Sequence, residues 1–97
     1  MRYLIVDGML SGTGVRDAMG GGYVVLAELG LSPNVVETIS SWLARYETAH
    51  YRQFNDPHEV EALDHIGLEL YDRLVQELPG SKIGYFSAAR MEKLKSA

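Results

Sequence analysis

The fold is decided by the stretch from Asp56 to Leu78, DPHEVEALDHIGLELYDRLVQEL, which predicts one long amphipathic helix. Asp56 and Pro57 predict its first turn, because an aspartate at the N-cap accepts from exposed amides and proline suits the first helical position. Apolar residues then recur at intervals of three and four, which places them on one face. This face comprises Val60, Leu63, Gly67, Leu70, Leu74 and Leu78. We expect it to form the centre of the core.

A second helix is predicted from Pro33 to about His50, because Ser32-Pro33 repeats the cap-plus-proline start and apolar residues follow at helical spacing. The apolar run in residues 2–6 predicts a buried strand, and residues 82–86 predict another. A helix-containing crossover between two strands favours a parallel pair. The length is that of one domain, and the sequence shows no internal repeat, low-complexity tract or linker, so we expect residues 1–97 to form a single domain.

Three segments carry less definite signals. Residues 15–19 favour one or two helical turns, and residues 23–26 favour either a short strand or a loop. Ser87 can cap a last helix from Ala88 to about Lys95, whose lysines would complement the helix dipole. The expected fold is therefore α/β (α+β): a small two- or three-stranded sheet covered by a pair of amphipathic helices, plus a short C-terminal helix.

The composition limits the classes of function. The chain has no cysteine, which excludes disulfides, thiolate metal sites and cysteine nucleophiles. No stretch approaches the roughly 20 apolar residues of a membrane helix, so we expect a cytoplasmic location and no membrane contact. The formal charge of −4 argues against phosphate-backbone binding and suits a basic protein partner.

The glycine-rich loop from Asp7 to Asp17 follows a predicted strand, where α/β proteins place anion sites. It lacks the lysine of a Walker A motif and the last glycine of the dinucleotide fingerprint. A flexible connection is therefore the preferred interpretation. The alternative is a small enzyme or an anion-binding domain with a ligand loop. That loop would use Asp7, Ser11, Thr13, Arg16 and Asp17.

The histidines and one helical pair give two further hypotheses. His50, His58 and His65 lack a closed ligand set, so we expect neither a metal nor another cofactor. Residues 27–39 match the turn and second helix of a helix-turn-helix regulator, but Arg45 is the only cation on the helix that would meet DNA. Nucleic-acid binding is therefore the weaker alternative.

The segment from Tyr46 to Phe54 is the most suggestive surface, since tyrosine and arginine are enriched at protein–protein hot spots. In the alternative interpretation, Tyr46 and Phe54 close the bottom of the core. The expected partner-binding set joins this segment to the acidic face of the central helix: Arg45, Tyr46, His50, Tyr51, Arg52, Phe54, Glu61 and Asp64.

No residue set has the spacing of a catalytic site, so we expect a binding protein rather than an enzyme. The leading hypothesis is a small acidic protein-binding module, such as an inhibitor or a toxin-neutralising immunity-type protein; homodimerisation is an alternative. In layout and charge the chain is loosely similar to the barstar family of ribonuclease inhibitors. No sequence motif carries that likeness, so no residue role is transferred.

Overall fold

A computed structural model describes residues 2–96 and shows a mixed α+β fold with a five-stranded sheet and two long helices. The strands are β1 (Tyr3–Asp7), β2 (Val15–Asp17), β3 (Gly22–Tyr23), β4 (Lys82–Ser87) and β5 (Glu92–Lys95). The helices are α1 (Pro33–Tyr51) and α2 (Pro57–Glu77), with one short 3-10 helix before them, Leu26–Leu29. Both long helices begin at the predicted prolines.

The sheet has the order β3-β2-β1-β4-β5. Its centre is the parallel pair β1 and β4, in register with Val6 beside Tyr85 and Asp7 beside Phe86. The other strands pair antiparallel, β2 with β1, β3 with β2 and β5 with β4. The predicted parallel pair is therefore present, but the predicted count of two or three strands is wrong.

The expected C-terminal helix is also wrong, because residues 92–95 form β5. Ser87 does accept a hydrogen bond from the Arg90 amide (3.2 Å), as an N-cap would, but the chain continues for only one turn. Met91 adopts a left-handed φ of 53° and reverses the chain. A short helix is marginal alone, whereas the same residues gain backbone hydrogen bonds along the free edge of β4.

The glycine-rich region supplies the other extra strands. Residues 15–17, for which helical turns were expected, pair with β1 as β2. Gly14, Gly20 and Gly22 have φ between 73° and 101°, a region that glycine enters without strain, and they shape the turns that flank β2 and β3. Of residues 23–26, only Tyr23 belongs to a strand.

Both helices cover one face of the sheet and run antiparallel. Ser32 at the start of α1 binds Glu77 at the end of α2 (2.7 Å), and Arg45 binds Glu59 at the opposite end (2.7 Å). Between them the Trp42 indole donates to the Leu63 carbonyl (2.9 Å). Neither helix combines the length and apolarity needed to cross a bilayer among the residues described.

The core lies between this helix layer and the helix-facing side chains of the sheet. Leu63, Leu70 and Leu74 of the predicted apolar face are buried in it, and so is Ile39 of α1. Leu43 is only half-buried. Ile5 is also buried, but it alternates with Leu4 and Val6 and so points to the other face, which no helix covers.

Candidate functional site

Three segments meet where β1 and β4 end. The loop after β1 is held by His50 of α1, whose Nε2 lies 3.1 Å from the Gly8 carbonyl oxygen. A carbonyl only accepts, so Nε2 carries the proton in this contact. The turn after β4 is held by Tyr46, whose hydroxyl accepts from the Ala89 amide (3.0 Å). We call residues 8–12, 50–54 and 88–91 the strand-end surface.

Tyr46 is the buried support of this surface. Its ring is fully buried and packs edge-to-face on Trp42 at 5.2 Å. Burial raises the pKa of its phenol, so the hydroxyl stays neutral and holds the Ala89 amide. Gly8 lies directly against this ring, since a Cβ there would fall 2.5 Å from Tyr46 Cγ. The close approach explains why glycine follows Asp7.

Large apolar side chains are exposed on the strand-end surface. Tyr51 is 76% exposed and Met91 is 67% exposed, and Met9 and Leu10 of the loop are also exposed. The three segments that carry them are the ones joined by His50 and Tyr46. Such a concentration at one end of a small domain is typical of an interaction site.

Backbone strain concentrates on the same surface. Among residues 2–96 the non-glycine residues with positive φ are Ser11 (66°), Gln53 (56°), Phe54 (52°) and Met91 (53°). All four belong to the strand-end surface. A left-handed conformation costs a bulky residue such as Phe54 roughly 1–3 kcal/mol, and strain of this kind clusters at functional sites. The Phe54 ring is held edge-on to His50 at 4.7 Å.

A buried carboxylate fixes the turn after β4. Asp64 of α2 is 5% exposed and accepts from the Tyr85 hydroxyl (2.7 Å), the Ser87 hydroxyl (3.0 Å) and Arg90 Nε (2.8 Å). Burial and the hydrogen bond to Asp64 both raise the pKa of Tyr85, which keeps this phenol a donor. Asp64 thus ties β4 and its turn to α2.

The same chemistry recurs on the opposite face of the sheet. Asp7 is 1% exposed and accepts from the Tyr23 hydroxyl (2.6 Å), Arg16 Nε (3.0 Å) and the Met9 amide (3.3 Å). Burial and this hydrogen bond raise the pKa of Tyr23. Each buried aspartate is therefore satisfied by one tyrosine and the Nε of one half-exposed arginine, which limits the cost of burying a charge.

The proposed ligand loop from Asp7 to Asp17 is used for local structure. The Thr13 hydroxyl donates to the Val24 carbonyl (2.6 Å), and the Asp17 carboxylate accepts from the Met19 amide (2.8 Å). Ser11 sits at one of the strained positions. Asp7 and Arg16 are bound to each other, so four of the five residues make hydrogen bonds that hold the hairpins. A ligand role for the five residues stays a prediction.

The expected partner-binding residues differ in their exposure to solvent. Tyr46 and Asp64 are buried and support the surface, as described above. Tyr51, Arg52 and Glu61 are exposed, while His50 and Phe54 are half-buried. Arg45 is exposed but paired with Glu59. The surface that remains available is centred on the connection between α1 and α2.

Sequence reasoning missed Met9, Leu10, Arg90 and Met91 as members of this surface. The expected helix over residues 88–95 hid the turn that presents Arg90 and Met91. An exposed loop gives no periodic signal, so Met9 and Leu10 had none either. What could have located them is the parallel pair, because the loops that follow parallel strands meet at one edge.

The cavities at the strand-end surface are small. One lies beneath Phe54 and measures about 50 Å³, and another lies beneath the loop from Gly8 to Gly12 and measures about 120 Å³. Pockets for small organic ligands usually measure about 300–1,000 Å³. This surface therefore suits a macromolecule better than an enclosed small ligand.

Charge is divided between the two layers. Residues 33–77, which form the helices and their connection, contain nine acidic and three basic residues. The remainder of the chain contains four acidic and six basic residues.

Comparison with protein-family models, with curated proteins and with solved structures finds no match. The layout likeness to barstar therefore carries no argument about function.

Proposed function

We propose that this protein acts by binding another protein through the strand-end surface, as an inhibitor or an immunity-type neutraliser. The observation that carries the proposal is that, among residues 2–96, four of the seven large exposed apolar side chains and all four non-glycine residues with positive φ lie on this one surface. Strained residues persist only where their surroundings hold them, and here buried Tyr46 and Asp64 do so. A surface held in shape loses little entropy on binding.

The acidic helix layer beside the strand-end surface favours a basic partner, whereas the surface itself carries Arg52 and Arg90 and no acidic residue. The acidic helix layer adjoins the strand-end surface: the hydrogen bond to Asp64 raises the pKa of Arg90. The charges of Asp64, Glu92 and Glu61 add to this effect. A positively charged partner would be steered toward this end, which increases the association rate at low salt. The cytoplasmic location expected from the sequence fits this proposal and stays a prediction.

The alternative functions have less support. In a helix-turn-helix regulator a full helix precedes the turn, whereas residues 26–29 form a single 3-10 turn. An enzyme built on the loop from Asp7 to Asp17 would need a carboxylate free to act as an acid or a base. There the carboxylates of Asp7 and Asp17 already bind protein donors.

Site-specific photocrosslinking tests the proposal. A photoreactive phenylalanine analogue replaces Tyr51 or Met91 in the native host, and the matched control carries it at Met19. These three side chains are all large, apolar and more than half exposed, but Met19 lies in the turn between β2 and β3, at the opposite end of the sheet. We expect one basic protein to be crosslinked from positions 51 and 91 only.

The captured partner then permits quantitative tests. Tyr51→Ala should weaken binding by 2 kcal/mol or more, the usual threshold for a hot spot. Glu61→Lys should mainly lower the association rate and its salt dependence, as a rim charge does. Equal capture from both ends of the molecule, or capture only of a second copy of this chain, contradicts the proposal.

A further inference from the structure

We propose that Arg90 recognises a carboxylate of the partner, and that buried Asp64 positions it for this contact. The inference rests on the proposed function, because it assigns one residue of the strand-end surface a specific ligand chemistry. Arg90 is held through one nitrogen of its guanidinium group. Its Nε–H donates to Asp64 Oδ2 at 2.8 Å, and within residues 2–96 its terminal Nη groups make no hydrogen bond.

The guanidinium therefore keeps four of its five N–H groups for another acceptor. The Arg90 side chain is 47% exposed, whereas the Asp64 side chain is only 8% exposed. The guanidinium group is thus held by a buried residue and remains accessible to a partner. A planar fork with both Nη groups free matches a carboxylate, which can accept two parallel hydrogen bonds.

Asp64 is a rigid anchor because its other hydrogen bonds are also occupied. The hydroxyls of Tyr85 and Ser87 hold the carboxylate against β4, and α2 carries its backbone. A long surface arginine normally loses considerable rotamer freedom when it binds. Arg90 has already lost part of that freedom in the free protein, so its contact with a partner is preorganised.

The position of Arg90 places this contact beside the exposed apolar side chains. It directly precedes Met91, which is strained and exposed, and its own amide is held by Ser87. Arginines at protein interfaces are frequent hot spots when an apolar rim excludes water around them.

The matched arrangement at Asp7 provides a control. Arg16 is also held through Nε by a buried aspartate and is 35% exposed, but it lies on the helix-free face of the sheet. Arg16→Ala and Arg90→Ala therefore remove the same kind of ion pair. Loss of binding that comes only from weakened folding should appear in both variants.

The test uses phage-displayed random dodecapeptides selected on the whole wild-type chain. We expect the selected peptides to shift the amide signals of residues 8–12, 50–54 and 88–91 and to share one Asp or Glu position. Arg90→Ala should weaken a synthetic selected peptide about tenfold or more, and Arg90→Lys nearly as much, because lysine cannot bind both oxygens. Arg16→Ala should stay within about threefold of the wild type.

A double-mutant cycle isolates the contact itself. Replacing the shared acid of the peptide by its amide should weaken binding to the wild type about tenfold and to Arg90→Ala hardly at all. Asp64→Asn tests positioning: the Nε–H signal of Arg90 should show faster motion than in the wild type, and the peptide should bind several-fold more weakly. The single variant Arg90→Lys keeps the positive charge but should still bind the peptide weakly.

The outcomes separate the two proposals. In one outcome, selected peptides bind the strand-end surface of the wild type, Arg90→Ala and Arg90→Lys with equal affinity. That result overturns the role of Arg90 and leaves the proposed function standing. Equal losses in Arg90→Ala and Arg16→Ala also overturn it. If no selected peptide shifts the strand-end signals, both proposals fail.

Discussion

The structure decides whether Gly67→Ala stabilises or destabilises the protein. Alanine is favoured over glycine inside a helix by about 1 kcal/mol, so propensity alone predicts a more stable protein. Gly67 faces β4, however, and a Cβ there would fall 2.5 Å from Tyr85 Oη and close to two carbons of the ring. Tyr85 is fully buried and its hydroxyl is bound to Asp64, so the ring has no room to retreat.

The opposing contributions can be estimated. Overpacking a tight core costs about 1–3 kcal/mol, and disturbing a buried hydrogen bond to a charged group costs about 1.5–3 kcal/mol. After the gain in helix propensity is subtracted, we expect Gly67→Ala to destabilise the protein by about 1.5–5 kcal/mol. A loss of this size lowers the melting temperature of a domain of this length by roughly 6 °C or more.

Urea unfolding followed by circular dichroism measures this change. The control is Gly80→Ala, because a Cβ at Gly80 meets nothing within 4 Å and its φ is not in the positive range. That variant should stay within about 0.5 kcal/mol of the wild type. A Gly67→Ala protein as stable as the wild type, or more stable, would refute the packing of α2 on Tyr85.

Three further predictions concern the helix layer. Leu70→Ala should cost about 2–5 kcal/mol in urea unfolding, since the side chain is 2% exposed; a loss below about 1 kcal/mol would place it outside the core. Trp42→Phe should cost about 1–3 kcal/mol, because the Leu63 carbonyl loses its buried donor, and an unchanged unfolding midpoint would contradict that bond. The Ser32 amide and hydroxyl hold the pKa of Glu77 below its ordinary value of 4.5, so its stabilisation is present at neutral pH and is lost as the pH falls through that lowered pKa. Urea midpoints of wild type and Glu77→Gln should therefore differ at neutral pH and converge in acid, and a constant difference would contradict this assignment.

The helices could be predicted because their signals are local. Ser32-Pro33 and Asp56-Pro57 mark the two starts, and apolar spacing marks the buried faces. The structure adds a detail that spacing does not contain: the Ser32 hydroxyl donates to Glu77 at 2.8 Å instead of capping its own helix. Asp56 does cap α2, through the amides of His58 and Glu59.

The strand count could not be predicted because the short strands depend on distant partners. Residues 15–17 and 92–95 have little strand character of their own, and each is extended only because β1 or β4 offers an unpaired edge. Pairing across the chain overrides weak local preference. The same limitation hid the turn after β4, and with it Arg90 and Met91.

The site could be predicted in part. The segment from Tyr46 to Phe54 does lie at one end of the molecule, and the structure explains why its residues differ in role. Tyr46 points into the core and Tyr51 points to solvent, although both belong to the same helix. Asp64 could not be separated from Glu61 by sequence, since both are acidic residues of one helix and only burial distinguishes them.

Hydrogen–deuterium exchange of the complex with the captured partner tests the central claim most directly. The strand-end surface should gain protection in all three of its segments, residues 8–12, 50–54 and 88–91. The turn between β2 and β3, around Met19, should exchange as it does in the free protein. Protection centred on that turn, with the three strand-end segments unchanged, would contradict the account.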